Sequence, residues 1–308
     1  WDLHGKLEGM PVHRLITASP PSRIEVGADF GVQESLDELV RLVGGAVDEG
    51  FRRVKLKFRP GWDLDMVAAV RGSFPGLAIH IDCNSGYTLD DLPLFRALDR
   101  FGLAMVEQPL AHDDLVDHAK LARAIETPIC LDESIVSVAR ARHAAELGSC
   151  SWVNLKHGRL GGLTAARAAH DACRDAGLRC WVGSMLESAV GSAFSVALAC
   201  LDNVAYPADV FPTPRHYASR PRRCVSSTTR SAGYGPSATR RRGWRQPPTP
   251  RCSRSGRWSG RRCSPPRRAG PLPAPASVRL RHAQHVLAHE AQDQLLRHSW
   301  PGNVRELE

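Results

Sequence analysis

Apolar and polar residues alternate along this chain in two rhythms, and the rhythm changes at regular intervals. Short β-branched or apolar runs with a period of two fall at 23–30 (RIEVGADF), 53–58 (RVKLKF), 77–82 (LAIHID), 104–109 (AMVEQP), 127–133 (TPICLDE), 151–156 (SWVNLK), 179–184 (RCWVGS) and 203–210 (NVAYPADV). Between them lie segments of helical period such as SLDELVRLVGGAVDEG, SVARARHAAELG and LTAARAAHDACRDAG, several closed by glycine. Eight strands and seven intervening helices, at about 25 to 30 residues per unit, predict an α/β fold, a parallel (β/α)7β barrel over residues 21–212. An open doubly wound sheet is the competing arrangement, and the equal spacing and the strand count disfavour it.

The second run poses a question. In FRRVKLKFRP, Val54, Leu56 and Phe58 fall on one face of a strand and Lys55 and Lys57 on the other. Taken alone, the stretch fits a half-exposed strand with a solvated lysine face. Its surroundings change that reading. In a barrel of this kind the active site lies at the carboxyl ends of the strands, and three consecutive ends carry a carboxylate: Asp82 in IDCN, Glu107 in VEQP and Asp132 in LDES. One βα unit of 25 residues separates each from the next, so they are expected at one level on adjacent strands about 4.8 Å apart. Such a row repels itself unless a cation joins it. Oxygen ligands without His or Cys favour Mg2+, with Mn2+ as a substitute, over zinc. The plainer alternative is that these carboxylates cap the following helices, as Asp132 could before ESIVSVAR.

With that row in place, Lys55 and Lys57 are expected to point into the barrel mouth and Lys156, in VNLKHG, to face them across it. Two crowded, partly desolvated lysines should each have a lowered pKa, which makes one a usable base near neutral pH. Lysine bases around Mg2+ suit proton abstraction next to a carboxylate, with the enediolate stabilised electrostatically, the pattern of the enolase superfamily.

Composition adds one correction to the picture of a single domain. The net charge of +9 is uneven: residues 210–289 contain 18 arginines and no Asp or Glu. Setting these 18 aside from the 41 basic residues leaves 23 against 32 acidic, a balance of −9. The basic segment, rich in Arg, Pro, Ser and Gly without apolar period, is expected to be disordered over 213–289. Arg with interleaved Trp could bind RNA or single strands, but the abrupt change near residue 213 suits an out-of-frame stretch better. Nucleic acid is therefore not the expected partner, and a nucleic-acid-binding or regulatory fusion protein is the alternative of another class. No apolar run reaches the roughly 18 residues of a spanning helix, and WDLHGKLEGM lacks the pattern of a signal peptide. A cytoplasmic protein with no membrane partner is the expectation. The nine cysteines are scattered with no Cys-x-x-Cys pair, so neither a disulfide framework nor a zinc site is indicated.

The motifs VKLKFRPGWD, IDCNSGYTL, VEQPL, TPICLDESI, VNLKHGRLGG and GSMLESAVG stand in the order and spacing of one group. Over residues 1 to about 212 the chain resembles the o-succinylbenzoate synthase and N-acylamino acid racemase group of the enolase superfamily. The resemblance implies that Lys57 is the acid/base on one face of a small carboxylate substrate, with Lys55 beside it and Lys156 flanking the other face. It implies Asp82, Glu107 and Asp132 as Mg2+ ligands, with Asn84 and Glu133 behind them. It implies substrate contacts at Gly183, Ser184, Met185 and Glu187 of GSMLES, with Asp209 closing the eighth strand. The implied reaction is dehydration to o-succinylbenzoate in menaquinone biosynthesis, with racemisation of N-succinylamino acids as the alternative; a homo-oligomer is compatible with either. Members begin with an α+β capping domain, of which only the final helix and linker are expected here, in residues 1–20. His157 stands where many relatives carry Pro. Finally, LLRHSWPGNVRELE, within residues 290–308, resembles the end of the AAA+ module of bacterial enhancer-binding activators, without the phosphate-binding loop such a module needs.

Overall fold

The computed structural model describes residues 1–185, 187–210 and 277–279. Two short helices, α1 (Asp2–Leu7) and α2 (Val12–Ile16), lead into β1 (Arg23–Glu25) and β2 (Ala28–Phe30). There follow α3 (Leu36–Asp48), β3 (Arg53–Lys57), α4 (Leu64–Ser73), β4 (Ala78–Asp82), α5 (Leu92–Leu98), β5 (Met105–Glu107), α6 (Leu115–Ala124) and β6 (Ile129–Leu131). The order continues with α7 (Val138–Leu147), β7 (Trp152–Leu155), α8 (His157–Leu160), α9 (Leu163–Asp175), β8 (Arg179–Val182) and α10 (Ala189–Leu198). Hydroxyls start several of the helices: Ser35, Ser137 and Ser188 accept from the amides of Glu38, Arg140 and Gly191, satisfying donors the first turn leaves free. Gly148 ends α7 in the left-handed conformation, at φ 70°.

Strands β2 to β8 pair in sequence order, all parallel. Residues 203–210 take the eighth position, as isolated bridges and not as a continuous strand. Ala205 and Asp209 donate to Cys180 O and Val182 O on one side, and Ala208 exchanges hydrogen bonds with Glu25 and Gly27 on the other. Pro207 lies in the middle of this stretch and has no amide hydrogen to give a ladder. The barrel is thus closed as expected, with an irregular last stave. The predicted first strand, 23–30, is divided into β1 and β2 around Val26 and Gly27.

Most of the core lies between sheet and helices, where Val54, Leu56, Ile79, Ile81, Val106 and Val153 meet apolar faces such as Leu39 and Val43 of α3. Each such fully buried side chain is worth about 1.5–3 kcal/mol. Inside the barrel a separate, smaller cluster of Met105, Cys130, Trp152 and Trp181, with Tyr206 against it, fills the floor. At the start of the chain, Trp1 Nε1 donates to Thr164 Oγ1 at 2.8 Å, and α2 packs on α10.

Most of the basic segment, and the activator-like fragment at 290–308, lie outside the described residues. Within that segment Ser277–Arg279 forms β9, antiparallel to β1 with Val278 opposite Ile24. An open strand edge offers main-chain hydrogen bonds to any extended segment whatever its composition. Among the described residues, no helix is long and apolar enough to cross a membrane.

Gly27 is where the backbone makes way for a buried side chain. A Cβ there would lie 2.0 Å from Arg53 Nε, and Arg53 is fully buried. Gly27→Ala should therefore cost about 3 kcal/mol in urea unfolding, as expected for breaking a buried charged network. Gly31→Ala, with open space around the new methyl, should change stability by less than about 0.5 kcal/mol.

Candidate active site

The inward face of β3 presents Arg53, Lys55 and Lys57 in turn, the first two buried and Lys57 partly exposed, each against carboxylates. Lys55 is buried, its ammonium 3.0 Å from Asp82 Oδ2, 2.8 Å from Glu107 Oε2 and 3.9 Å from Asp209 Oδ2. Lys57 donates to Asp82 Oδ2 and to Asn84 Oδ1, each at 2.6 Å, and its side chain is 43 % exposed. At the end of β7, Lys156 donates to Asp132 Oδ2 at 2.7 Å, and Arg159 of α8 holds Asp132 Oδ1. Asn84 in turn donates to Glu133 Oε1 at 2.9 Å, so the two residues expected behind the ligands are linked to each other and to Lys57.

Two expectations need correction. The three carboxylates are not level: Asp82 is register partner of Glu107, but Glu107 is opposite Cys130, which sets Asp132 two residues farther along, past the end of β6. Nor do crowded lysines depress each other at Lys55. Burial presses its ammonium towards neutrality, but Glu107, Asp82 and Asp209 outweigh burial and hold its pKa well above the ordinary lysine value. Lys55 is a fixed cation. Asp82 answers it: burial would raise its pKa, and Lys55 and Lys57 together bring it below the usual carboxylate range. Glu107 and Asp132 are shifted the other way, Glu107 by burial and the Asp82 charge, Asp132 by burial and the Glu107 charge.

This row of buried carboxylates bears on a metal. Among the described residues, no three His, Cys, Asp or Glu side chains stand close enough as they are to hold an ion, and each of the three carboxylates has a lysine ammonium against it. The donor set nevertheless fits a hard divalent cation. Three buried carboxylates come from adjacent strands, and Glu107 Oε2 accepts no well-directed hydrogen bond although Lys55 is near it.

Several supporting residues were not anticipated. Asn154 donates to Glu107 Oε1 at 2.8 Å and accepts from the Gly183 amide at 2.7 Å, fixing both. Gln108, at φ 40°, uses its amide oxygen to accept from the backbone N–H of Asp132 and of Ser134, at 2.9 and 3.1 Å. A non-glycine residue there stores roughly 1–3 kcal/mol of strain, offset by the bonds that set Asp132. Beneath the lysines, Arg53 donates to Asp29 Oδ1 at 3.1 Å and Asp209 Oδ1 at 2.5 Å. His80, fully buried, lies 3.3 Å from Glu107 Oε2 and 3.3 Å from the Tyr206 hydroxyl. The period of two pointed to most of these: Arg53, His80 and Asn154 each stand two residues before a residue already singled out.

The segment after β8 is only partly as expected. Gly183 packs on Lys156, where a Cβ would come within 2.7 Å of Cε. The Ser184 hydroxyl donates to Asp209 O, and Met185 is 55 % exposed. Glu187 is folded back, accepting from the Met185 amide at 3.3 Å. The Asp209 carboxylate is buried on Arg53 and Lys55 and is not displayed at the mouth.

Comparison with known proteins places residues 38–227 in a match to the enolase C-terminal domain-like family. The chain is 46 % identical over 220 residues to an o-succinylbenzoate synthase of Geobacillus kaustophilus, covering 71 % of this chain and 58 % of that protein. It is 46 % identical over 195 residues to an N-succinylamino acid racemase of Amycolatopsis sp, covering 63 % and 53 %. A crystal structure of an enolase superfamily member from Enterococcus faecalis V583 superposes with a TM-score of 0.68 at 41 % identity, covering 71 % of this chain and 59 % of that one. The chain thus spans little more than half the length of these relatives.

Burial, then the charges of Arg53 and Lys55, holds the His80 pKa well below its ordinary value of 6.5. Below about pH 6.5 the unfolded chain therefore binds a proton that the folded chain refuses, so His80 erodes stability as pH falls through that point. Unfolding free energies measured between pH 7 and 5 should drop more steeply for the wild type than for His80→Gln. The difference should approach about 1.4 kcal/mol per pH unit at the acid end.

Proposed function

The chain belongs to the enolase C-terminal domain-like family, and we propose that it carries the catalytic barrel of a Mg2+-dependent o-succinylbenzoate synthase, a carbon–oxygen lyase of menaquinone biosynthesis acting on a cyclohexadiene carboxylate. One observation carries the reading: a half-exposed lysine, Lys57, and a buried one, Lys156, flank a row of three buried carboxylates at the barrel mouth. Asp82, Glu107 and Asp132 would hold the Mg2+. The ion would supply positive charge at the substrate carboxylate, where an enediolate gathers its negative charge.

The protein's own residues do the rest. Lys57 is the lysine of β3 that reaches solvent, so it is the one available to take the proton from the carbon beside the carboxylate. Once protonated it is an acid on the same face and returns that proton to the departing hydroxyl, so that water leaves and the ring becomes aromatic. Lys55 cannot share this work because its proton is held by carboxylates. It keeps Asp82 and Glu107 together as fixed charge. Lys156 places a second ammonium on the other flank, where it stabilises the enolate. Asn84 orients Lys57 through its side-chain oxygen.

A second reading, racemisation of an N-succinylamino acid, is favoured by the same lysine pair. Lys57 and Lys156 are anchored on different carboxylates at opposite ends of the row. A proton removed by one and returned by the other inverts the carbon between them. The substrate of either reading is a small succinyl-bearing carboxylate.

In deuterated buffer, Lys57→Ala should abolish exchange of the substrate α-proton, and Lys55→Ala should slow it less. Lys156→Ala should eliminate racemisation yet leave part of the exchange from the Lys57 face; full exchange in Lys57→Ala would overturn the assignment of the base. Asp82→Asn, Glu107→Gln and Asp132→Asn should each weaken Mg2+ binding at least about tenfold by calorimetry, since each removes one of three anionic ligands. Unchanged affinity in all three would remove the metal from the proposal.

A further inference from the structure

Directly after Lys156, α8 begins with His157, which the reaction does not use. It is buried, and its Nε2 lies 3.1 Å from Gly191 O in the first turn of α10 and 3.7 Å from Glu187 Oε1. Both neighbours are acceptors, so His157 Nε2 is a donor, its hydrogen bond going to Gly191 O with Glu187 just outside hydrogen-bond range. Phe194, one turn farther along α10, meets the ring edge-on with centroids 5.9 Å apart. On the other side, Glu187 accepts from the Met185 amide, and its Oε2 fills the space where a Cβ on Gly191 would sit, 2.4 Å away. His157, Glu187 and Gly191 therefore interlock three pieces of chain: the residue after Lys156, the exit from β8 and the start of α10.

We propose that this interlock makes His157 a positioning residue that fixes Met185 and Glu187 beside Lys156, and so sets how the end of the substrate remote from the reacting carbon is held. This rests on the reading that the exit from β8 meets the substrate. Holding the remote end contributes equally to the ground state and the transition state, so its loss raises KM and leaves kcat nearly unchanged. A residue that merely supported the barrel would lower activity through the folded fraction, with KM unaltered.

The test uses the full chain and three variants. His157→Ala removes the donor. His157→Gln restores an N–H at the position of Nε2. Gly191→Ala displaces Glu187 from the opposite side. By hydrogen exchange, the amides of Met185 and of residues 190–192 should exchange at least about tenfold faster in His157→Ala and Gly191→Ala, while those of β3 to β7 stay at the wild-type rate and His157→Gln returns towards it. KM for the synthase substrate or for an N-succinylamino acid should rise about three- to tenfold in the first two variants, the loss of one hydrogen bond, with kcat within about twofold. Unchanged exchange overturns the interlock. Faster exchange with unchanged KM, or a fall in kcat alone, overturns its role towards substrate. If the wild-type chain turns over neither substrate, the functional reading has failed, and the interlock is decided by the exchange rates alone.

Discussion

Buried charge governs this barrel. Arg53, Lys55 and Lys156 are enclosed with Asp82, Glu107, Asp132 and Asp209, and any one of them desolvated without a partner would cost several kcal/mol. The structure meets this constraint by alternation. Lys55 reaches three acids, Arg53 reaches two, and Asp132 is held by both Lys156 and Arg159. The features around them follow from it. Gly27 gives room to the Arg53 guanidinium and Gly183 to the Lys156 stem. Gln108 accepts an unfavourable backbone conformation to pin the Asp132 amide.

The floor of the barrel sharpens these interactions. Trp181 lies under both cations, its ring 5.5 Å from the Arg53 guanidinium and 5.3 Å from the Lys55 ammonium. It belongs to the apolar cluster of Met105, Cys130 and Trp152 inside the barrel. Among the cations named above, the Lys57 side chain is the most exposed. An interior of apolar side chains would be as stable or more so. So much charge retained at the carboxyl ends of parallel strands is not explained by stability alone.

The residues of the site act at two depths. Lys57, Asn84 and Glu133 form the outer level, linked by hydrogen bonds and partly open to solvent. Lys55, Glu107, Asn154, His80 and Asp209 form the inner level, without access to a substrate. The outer level can exchange partners when a ligand enters. The inner one can exchange a charged partner only for another charge, because a charge left unpaired in a low dielectric is costly.

How much was legible in the sequence divides along the same line. Period-two runs at one spacing determined the barrel, because a strand between two packed layers must alternate its side chains. The order of Lys57, Asp82, Glu107, Asp132 and Lys156 was legible too, since each stands within two residues of the end of such a run. Arg53, His80 and Asn154 were within reach of the same rule carried one step inward. Sequence could not show the stagger of Asp132, which depends on the register of β5 against β6. It could not show the high pKa of Lys55 or the folding back of Glu187 onto the start of α10. Proximity of two lysines along the chain suggested repulsion. Three carboxylates brought from other strands decided the opposite, because a buried charge responds to distance in space, and only the closed barrel sets those distances.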